Sequence, residues 1–192
     1  MAPMPSTDRG LSPSHRGELL GLARRAIETG LDGGRLDVPL GSFPEPLREV
    51  RATFVTLKIG GRLRGCMGTL EARRPLVEDV AWNAYAAAFE DPRFPPLARA
   101  EVASLDVSLS LLSLPEPMRF GSEQELVAQI RPNIDGLVLE EGPWRGTFLP
   151  SVWQQLPDAG EFLRHLKRKA GLPVDYWSAT LCVSRYTAEL VP

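Results

Sequence analysis

The chain has 192 residues, of which 43% are hydrophobic and 24% charged, with a formal net charge of -2. This is long enough for one large domain or two joined subdomains with a real core, in the balance of an ordinary soluble globular protein. The charge argues against nucleic acid as a partner, and no apolar run approaches a membrane span. The opening MAPMPSTDRG holds no apolar stretch of a secretory signal. The two cysteines, Cys66 and Cys182, make no disulfide framework and read as free thiols in a reducing, cytoplasmic setting. Only two histidines are present, without metal-ligand spacing, and there is no cluster of closely spaced cysteines, no P-loop and no GxGxxG. No metal and no cofactor is therefore expected.

Residues 1–11, rich in proline, serine and glycine, read as a disordered tail, leaving 12–192 as a single domain. Ser12-Pro13 opens a helix, with serine at the N-cap and proline at the first position. Leu19, Leu22, Ala23, Ala26 and Ile27 recur at helical spacing, and Gly30 stops the helix. Residues 32–46, broken by glycine and proline, read as a loop. Two β-type runs, 51–59 and 62–70, flank Gly60-Gly61, which predicts an antiparallel hairpin. Cys66 lies on its second arm between Gly65 and Gly68. Glycines inside a strand mark a bulge or the close approach of another backbone or ligand.

LVEDVAWNAYAAAF predicts a helix ended by the breaker EDPRFPPL, and SLDVSLSLL alternates as a half-buried strand. Ser122 and Glu125 form a capping box opening a short helix to Ile130. Residues 136–141 and 144–149 predict a second hairpin around Gly142. The next helix has Asp158 as N-cap, Glu161 at the capping-box position and Gly171 as its stop. TLCVSRYTAELV predicts one long final strand. Residues 61–65 and 142–146 share the pattern G-x-x-R-G, each after a β-run and before a helix. This suggests an internal duplication of a hairpin-helix unit, although glycine turns followed by arginine also occur without one.

Two readings of RLRGCMGTL stand side by side. In one, glycine amides bind an anion or oxyanion while Cys66 attacks as a thiolate favoured by Arg64. In the other, the glycines serve a tight bulge and Cys66 fills a gap in the core. A catalytic thiol needs a base, and His165 is the only long-range candidate; it sits in a basic helix face with Arg164, Lys167, Arg168 and Lys169. Asp91 and Arg93 orient a substrate group, or cap the helix and pair with each other. Trp144, Trp153 and Trp177 line a pocket or belong to a core. Glu71, Glu78 and Asp79 are too scattered to make a persuasive cation site.

FVTLKIGGRLRGCMGTL, DPRFPPL, LDVSLSLL, RGTFLP and FLRHLKRKAGLP follow in that order. Together they resemble the AMME-chromosomal-region (AMMECR) domain family over residues 14–190, and more closely its bacterial branch, AmmeMemoRadiSam system protein A. Met67 stands where the family's central motif usually has isoleucine, a change that leaves the backbone shape intact. The resemblance implies an α+β fold with a curved, barrel-like antiparallel sheet, flanking helices, two unequal subdomains and an internal duplication. It implies that the motif residues gather in a cleft between subdomains, a setting suited to a small molecule. It also implies two partners, a Memo-like protein and a radical S-adenosylmethionine enzyme. The family's chemistry is unassigned, and this chain has neither the metal ligands nor the cluster cysteines of those partners.

The expected site has Cys66 as candidate catalytic thiol. Arg64, Gly65, Gly68, Thr69, Asp91, Arg93, Arg145 and Thr147 are its binding residues for the carboxylate or phosphate of a small anionic molecule. The alternative arrangement pairs each arginine with a local carboxylate. Two functions of different class remain: an accessory binding component of the Memo-like and radical-enzyme system, and a cleft enzyme with Cys66 as nucleophile on a small polar substrate. The first is preferred because no general base is visible beside Cys66.

Overall fold

A computed structural model describes residues 11–192; the predicted tail lies outside these residues except for Leu11, which is buried. The chain divides into two compact units, one reaching Leu111 and including Leu190–Pro192, the other Leu112–Glu189. The first unit carries helix α1 (Pro13–Leu31), the short α2 (Glu45–Arg48), strands β1 (Thr53–Ile59) and β2 (Arg62–Gly68), α3 (Leu76–Phe89) and β3 (Leu105–Leu112). Ser12 Oγ accepts the His15 amide at 3.2 Å, the cap expected for α1. The helix passes Gly30 and ends at Leu31. A Cβ at Gly30 would collide with the Phe89 ring, so this glycine permits the contact of α1 with α3 and is not the stop.

β1 and β2 pair antiparallel about Gly60-Gly61, whose φ angles of +55° and +75° are the left-handed pair a two-residue hairpin turn requires. Leu57 pairs with Gly65 and Lys58 with Leu63, so Arg64 is the extra residue of a bulge. Alternation sends Val55 and Leu57, both fully buried, into a core with Leu19, Leu22, Ile27, Val80 and Ala84 of α1 and α3. Each such aliphatic side chain contributes about 1.5–3 kcal/mol of burial. Thr56 and its partner Cys66 take the opposite face.

The second unit holds β4 (Glu116–Pro117), α4 (Glu123–Gln129), β5 (Gly136–Glu141), β6 (Trp144–Phe148), α5 (Ala159–Ala170) and β7 (Cys182–Tyr186). Its sheet order is β4-β7-β5-β6, and β5 and β6 form the expected antiparallel hairpin. Ser122 Oγ caps α4 through the Glu125 amide, but the Glu125 carboxylate turns back to the Gly121 amide, one residue before the cap. Asp158 and the left-handed Gly171 bound α5 as expected. Trp153 is core: it stacks on Phe162 at 3.8 Å, and its indole Nε1 donates to the Asp135 carbonyl at 2.7 Å.

Three expectations are corrected. The fold is mixed α+β with antiparallel pairing, but the strands form two four-stranded sheets, and neither closes into a barrel among the described residues. The long final strand is two strands, β7 and β8 (Ala188–Val191), which belong to different sheets; the first sheet runs β2-β1-β3-β8. At the break the Thr187 amide donates to Ser113 Oγ, and Thr187 accepts from the Ser113 amide, at 3.0 and 2.9 Å. Lys167, read as part of a basic face, is fully buried; its Nζ lies 3.0 Å from Glu123 Oε1. No helix among the described residues is long and apolar enough to cross a membrane.

Candidate functional site

The bulged arm β2 is the edge of its sheet, and an edge strand leaves alternate amides and carbonyls without a neighbour. Cys66 is such a position. Its amide donates to Asp91 Oδ2 at 2.9 Å, and its carbonyl accepts from Arg93 Nη2 at 3.1 Å. Two side chains thus supply the acceptor and donor that another strand would provide. Their own geometry is set locally. Asp91 precedes proline, which disfavours further helix, and its Oδ1 accepts the Arg93 amide two residues on. The Arg93 fork then closes on the same carboxylate, Nε at 2.9 Å and Nη2 at 2.7 Å.

The Asp91 side chain is 2% exposed and that of Arg93 54%. The Arg93 guanidinium, with the Cys66 and Arg93 amides, holds the Asp91 carboxyl well below the usual carboxylate range against the cost of burial. The same contact raises Arg93.

Arg64, displaced by the bulge, makes a bidentate pair with Glu101, at 2.7 and 2.9 Å, and reaches the Pro96 carbonyl at 3.4 Å. Glu101 also accepts the Ala98 amide; Arg64 first, then this amide, bring its carboxyl down to about 2. The segment following α3 is therefore fixed to β2 at both ends, by Asp91–Arg93 and by Glu101. Thr69 turns elsewhere: its hydroxyl donates to Asp79, a buried carboxylate that also accepts from the Thr53 amide, the Thr53 hydroxyl and the Asn83 amide group. Burial pushes the Asp79 carboxyl up, and these hydrogen bonds oppose the shift.

Gly65 and Gly68 have steric roles. A Cβ at Gly65 would strike the Ala87 carbonyl oxygen of α3, and one at Gly68 would strike the Phe54 ring and the Thr53 carbonyl. The glycine-flanked amide of Cys66 is taken by the carboxylate of Asp91, a residue of the chain itself.

Arg145 and Thr147 lie on β6 in the second unit. Arg145 pairs with Glu140, its register partner on β5, at 3.2 Å. Thr147 Oγ1 is 3.2 Å from the Tyr186 hydroxyl, which burial pushes up to about 12.

The structure thus joins Cys66, Asp91 and Arg93 directly, places Arg64 on the same segment, and gives Thr69 to a separate buried network. Glu101 was missed in sequence because it lies 37 residues from Arg64. The signal available was its place three residues after Ala98, the capping position that its carboxylate fills. Cys66 itself is half-buried and, among the described residues, belongs to no core cluster and is hydrogen-bonded to no base. Its Sγ lies 3.4 Å from Thr56 Oγ1, and among the described residues no imidazole or carboxylate is hydrogen-bonded to it. His165 is half-buried on α5 beside Glu161. Both cysteines are free thiols, and no group of three or more metal-ligating side chains is assembled among the described residues.

The AMMECR1 family model matches residues 20–191. A protein of Methanothermobacter thermautotrophicus is 40% identical over 175 residues, covering 90% of this chain and 91% of that protein. Protein MJ0810 of Methanocaldococcus jannaschii is 38% identical over 172 residues, covering 88% and 85% of the two chains. The crystal structure of uncharacterised protein PH0010 from Pyrococcus horikoshii is similar with a TM-score of 0.76 at 38% identity, over 90% of this chain and 88% of that one.

Proposed function

This chain belongs to the AMMECR1 family, and from that premise we propose that it is a non-catalytic binding component whose recognition surface is the segment 91–101 clasped to β2. The observation that carries this reading is the double use of Asp91 and Arg93: they bind the main chain of Cys66 and each other, which fixes a surface. Arg93 stays half exposed, and its Nη1 makes no hydrogen bond among the described residues, so it can receive the carboxylate or phosphate of a small anionic molecule. Arg64, with its fork on Glu101, is a positioning residue in this scheme.

Membership of the AmmeMemoRadiSam system protein A branch is part of the proposal, and with it the Memo-like protein and the radical S-adenosylmethionine enzyme as partners in a reducing cytoplasm. So is the internal duplication. Gly65 meets α3 at Ala87, and Gly146, in the second G-x-x-R-G, meets α5 at Ala170, so the two motifs make the same kind of hairpin-to-helix contact.

Co-expression with the Memo-like and radical enzymes of the same genome tests the reading. The tagged chain is expected to retain both partners, Cys66→Ala to retain them equally, and Asp91→Asn to lose them. Failure of the unaltered chain to retain either partner contradicts the proposal, as does loss through Cys66→Ala with retention by Asp91→Asn.

A further inference from the structure

A separate cavity of about 350 Å³ opens on the first unit, and none of the residues that clasp segment 91–101 lines it. On α3, Trp82 and Tyr85 are three residues apart and so share a face. They line the cavity with Arg35, Asp37, Arg74 and Glu78. The Arg35 guanidinium carbon lies 4.2 Å from the Trp82 ring centre and 4.0 Å from that of Tyr85; Arg74 lies 4.4 Å from Trp82. These rings already hold flat cations. Each arginine also has a carboxylate that is not part of the lining, Glu90 for Arg35 at 2.5 Å and Asp79 for Arg74 at 3.6 Å. Asp37 and Glu78 are left without an ion pair or side-chain hydrogen bond among the described residues. The cavity therefore offers aromatic faces suited to a delocalised cation and two unengaged carboxylates.

We propose that this cavity binds a guanidinium group, carried by a small molecule or by an arginine side chain of a partner. A guanidinium is the cation that can both stack flat on Trp82 or Tyr85 and present forked N–H donors to a carboxylate. An ammonium satisfies Asp37 and Glu78 but lacks the plane, and an anion meets two unpaired carboxylates while both lining arginines are already paired, with Glu90 and Asp79. Arg35, exposed and held from outside by Glu90, is the group the incoming guanidinium displaces from the rings.

The test titrates the full chain with butylguanidine and with a peptide bearing a single arginine, read by calorimetry and by tryptophan fluorescence. Butylamine and acetate serve as comparators, and Trp82→Phe identifies the reporting indole among the four tryptophans. Saturable binding of either guanidinium compound is expected, at least about tenfold tighter than butylamine, with no binding of acetate. The double variant Asp37→Asn/Glu78→Gln is expected to weaken it about tenfold or more. Tighter binding of butylguanidine assigns the site to a small molecule, and tighter binding of the peptide assigns it to a partner's arginine. The inference is overturned if neither compound saturates, if the double variant binds as tightly, or if butylamine or acetate binds equally well. Both altered positions are at least partly exposed, so the variant keeps the fold. The partner assay with Asp91→Asn does not touch this cavity, so the two proposals fail separately.

Discussion

Replacing Asp91 with asparagine keeps the shape and removes the charge that organises the site. The carboxylate accepts the Cys66 amide, the Arg93 amide and two guanidinium N–H groups, all between 2.7 and 3.1 Å. Asparagine retains one acceptor oxygen and turns an NH2 group toward donors. Hydrogen bonds to a charged partner are worth about 1.5–3 kcal/mol. The half-exposed Arg93 recovers solvation, which limits the loss. The expected cost is about 2 kcal/mol, or roughly 4–8 °C in melting temperature for a chain of this size. The acid dependence carries the sharper signature. Because the folded carboxyl is held below its unfolded value, its stabilisation is complete above about pH 5 and is lost progressively as the pH falls through the unfolded value of about 3.9 toward the folded one. Urea denaturation of wild type and Asp91→Asn at pH 6 and at steps down to pH 3.5 should show a gap that narrows with acid. A gap below about 0.5 kcal/mol at pH 6, or one that stays constant to pH 3.5, would show that the Asp91 charge does not organise the site.

Gly65→Ala should cost about 3 kcal/mol or prevent folding, because the new methyl strikes the Ala87 carbonyl and no flexible side chain can yield. Gly142→Ala, in open space but at φ +55°, should cost about 1–2 kcal/mol; thermal melts of the two would contradict this if their order reversed. In the second unit, Lys167→Ala should lower the urea midpoint by the equivalent of about 3 kcal/mol, whereas Lys167→Met should fall within about 1 kcal/mol of wild type. The reason is that Lys167 fills core space while its partner Glu123 still reaches water; equal losses in both variants would be inconsistent with that.

Where local chemistry decides structure, the sequence is readable. Ser12, Asp158 and Gly171 bound helices because a side-chain acceptor or a left-handed glycine is needed at those points, and Gly60-Gly61 turns the first hairpin for the same kind of reason. Long-range contacts leave no such mark. Gly30 looks like a helix stop and is instead a contact point for Phe89, 59 residues along the chain. In 180–191 the apolar positions shift from 181 and 183 to 186, 188 and 190 across Ser184-Arg185, a change of phase that shows a break without showing that β7 and β8 enter different sheets.

The candidate site divides in the same way. The Asp91–Arg93 pairing was one of two local readings. Its attachment to the Cys66 main chain depends on β2 being an edge strand, which strand order alone determines. Lys167 sits in a run of basic residues, and nothing in that run distinguishes the one whose side chain turns inward.

In the proposed function the RGCMG segment is held for recognition and does not arm a thiol. Timed alkylation with iodoacetamide at neutral pH, followed by peptide mass spectrometry, compares the two cysteines within one molecule. Cys182 is exposed, whereas Cys66 is half-buried against Thr56, with no base hydrogen-bonded to it among the described residues. Cys182 is expected to be modified first and Cys66 more slowly. Modification of Cys66 ahead of the exposed Cys182 would reveal an activated nucleophile and contradict that reading.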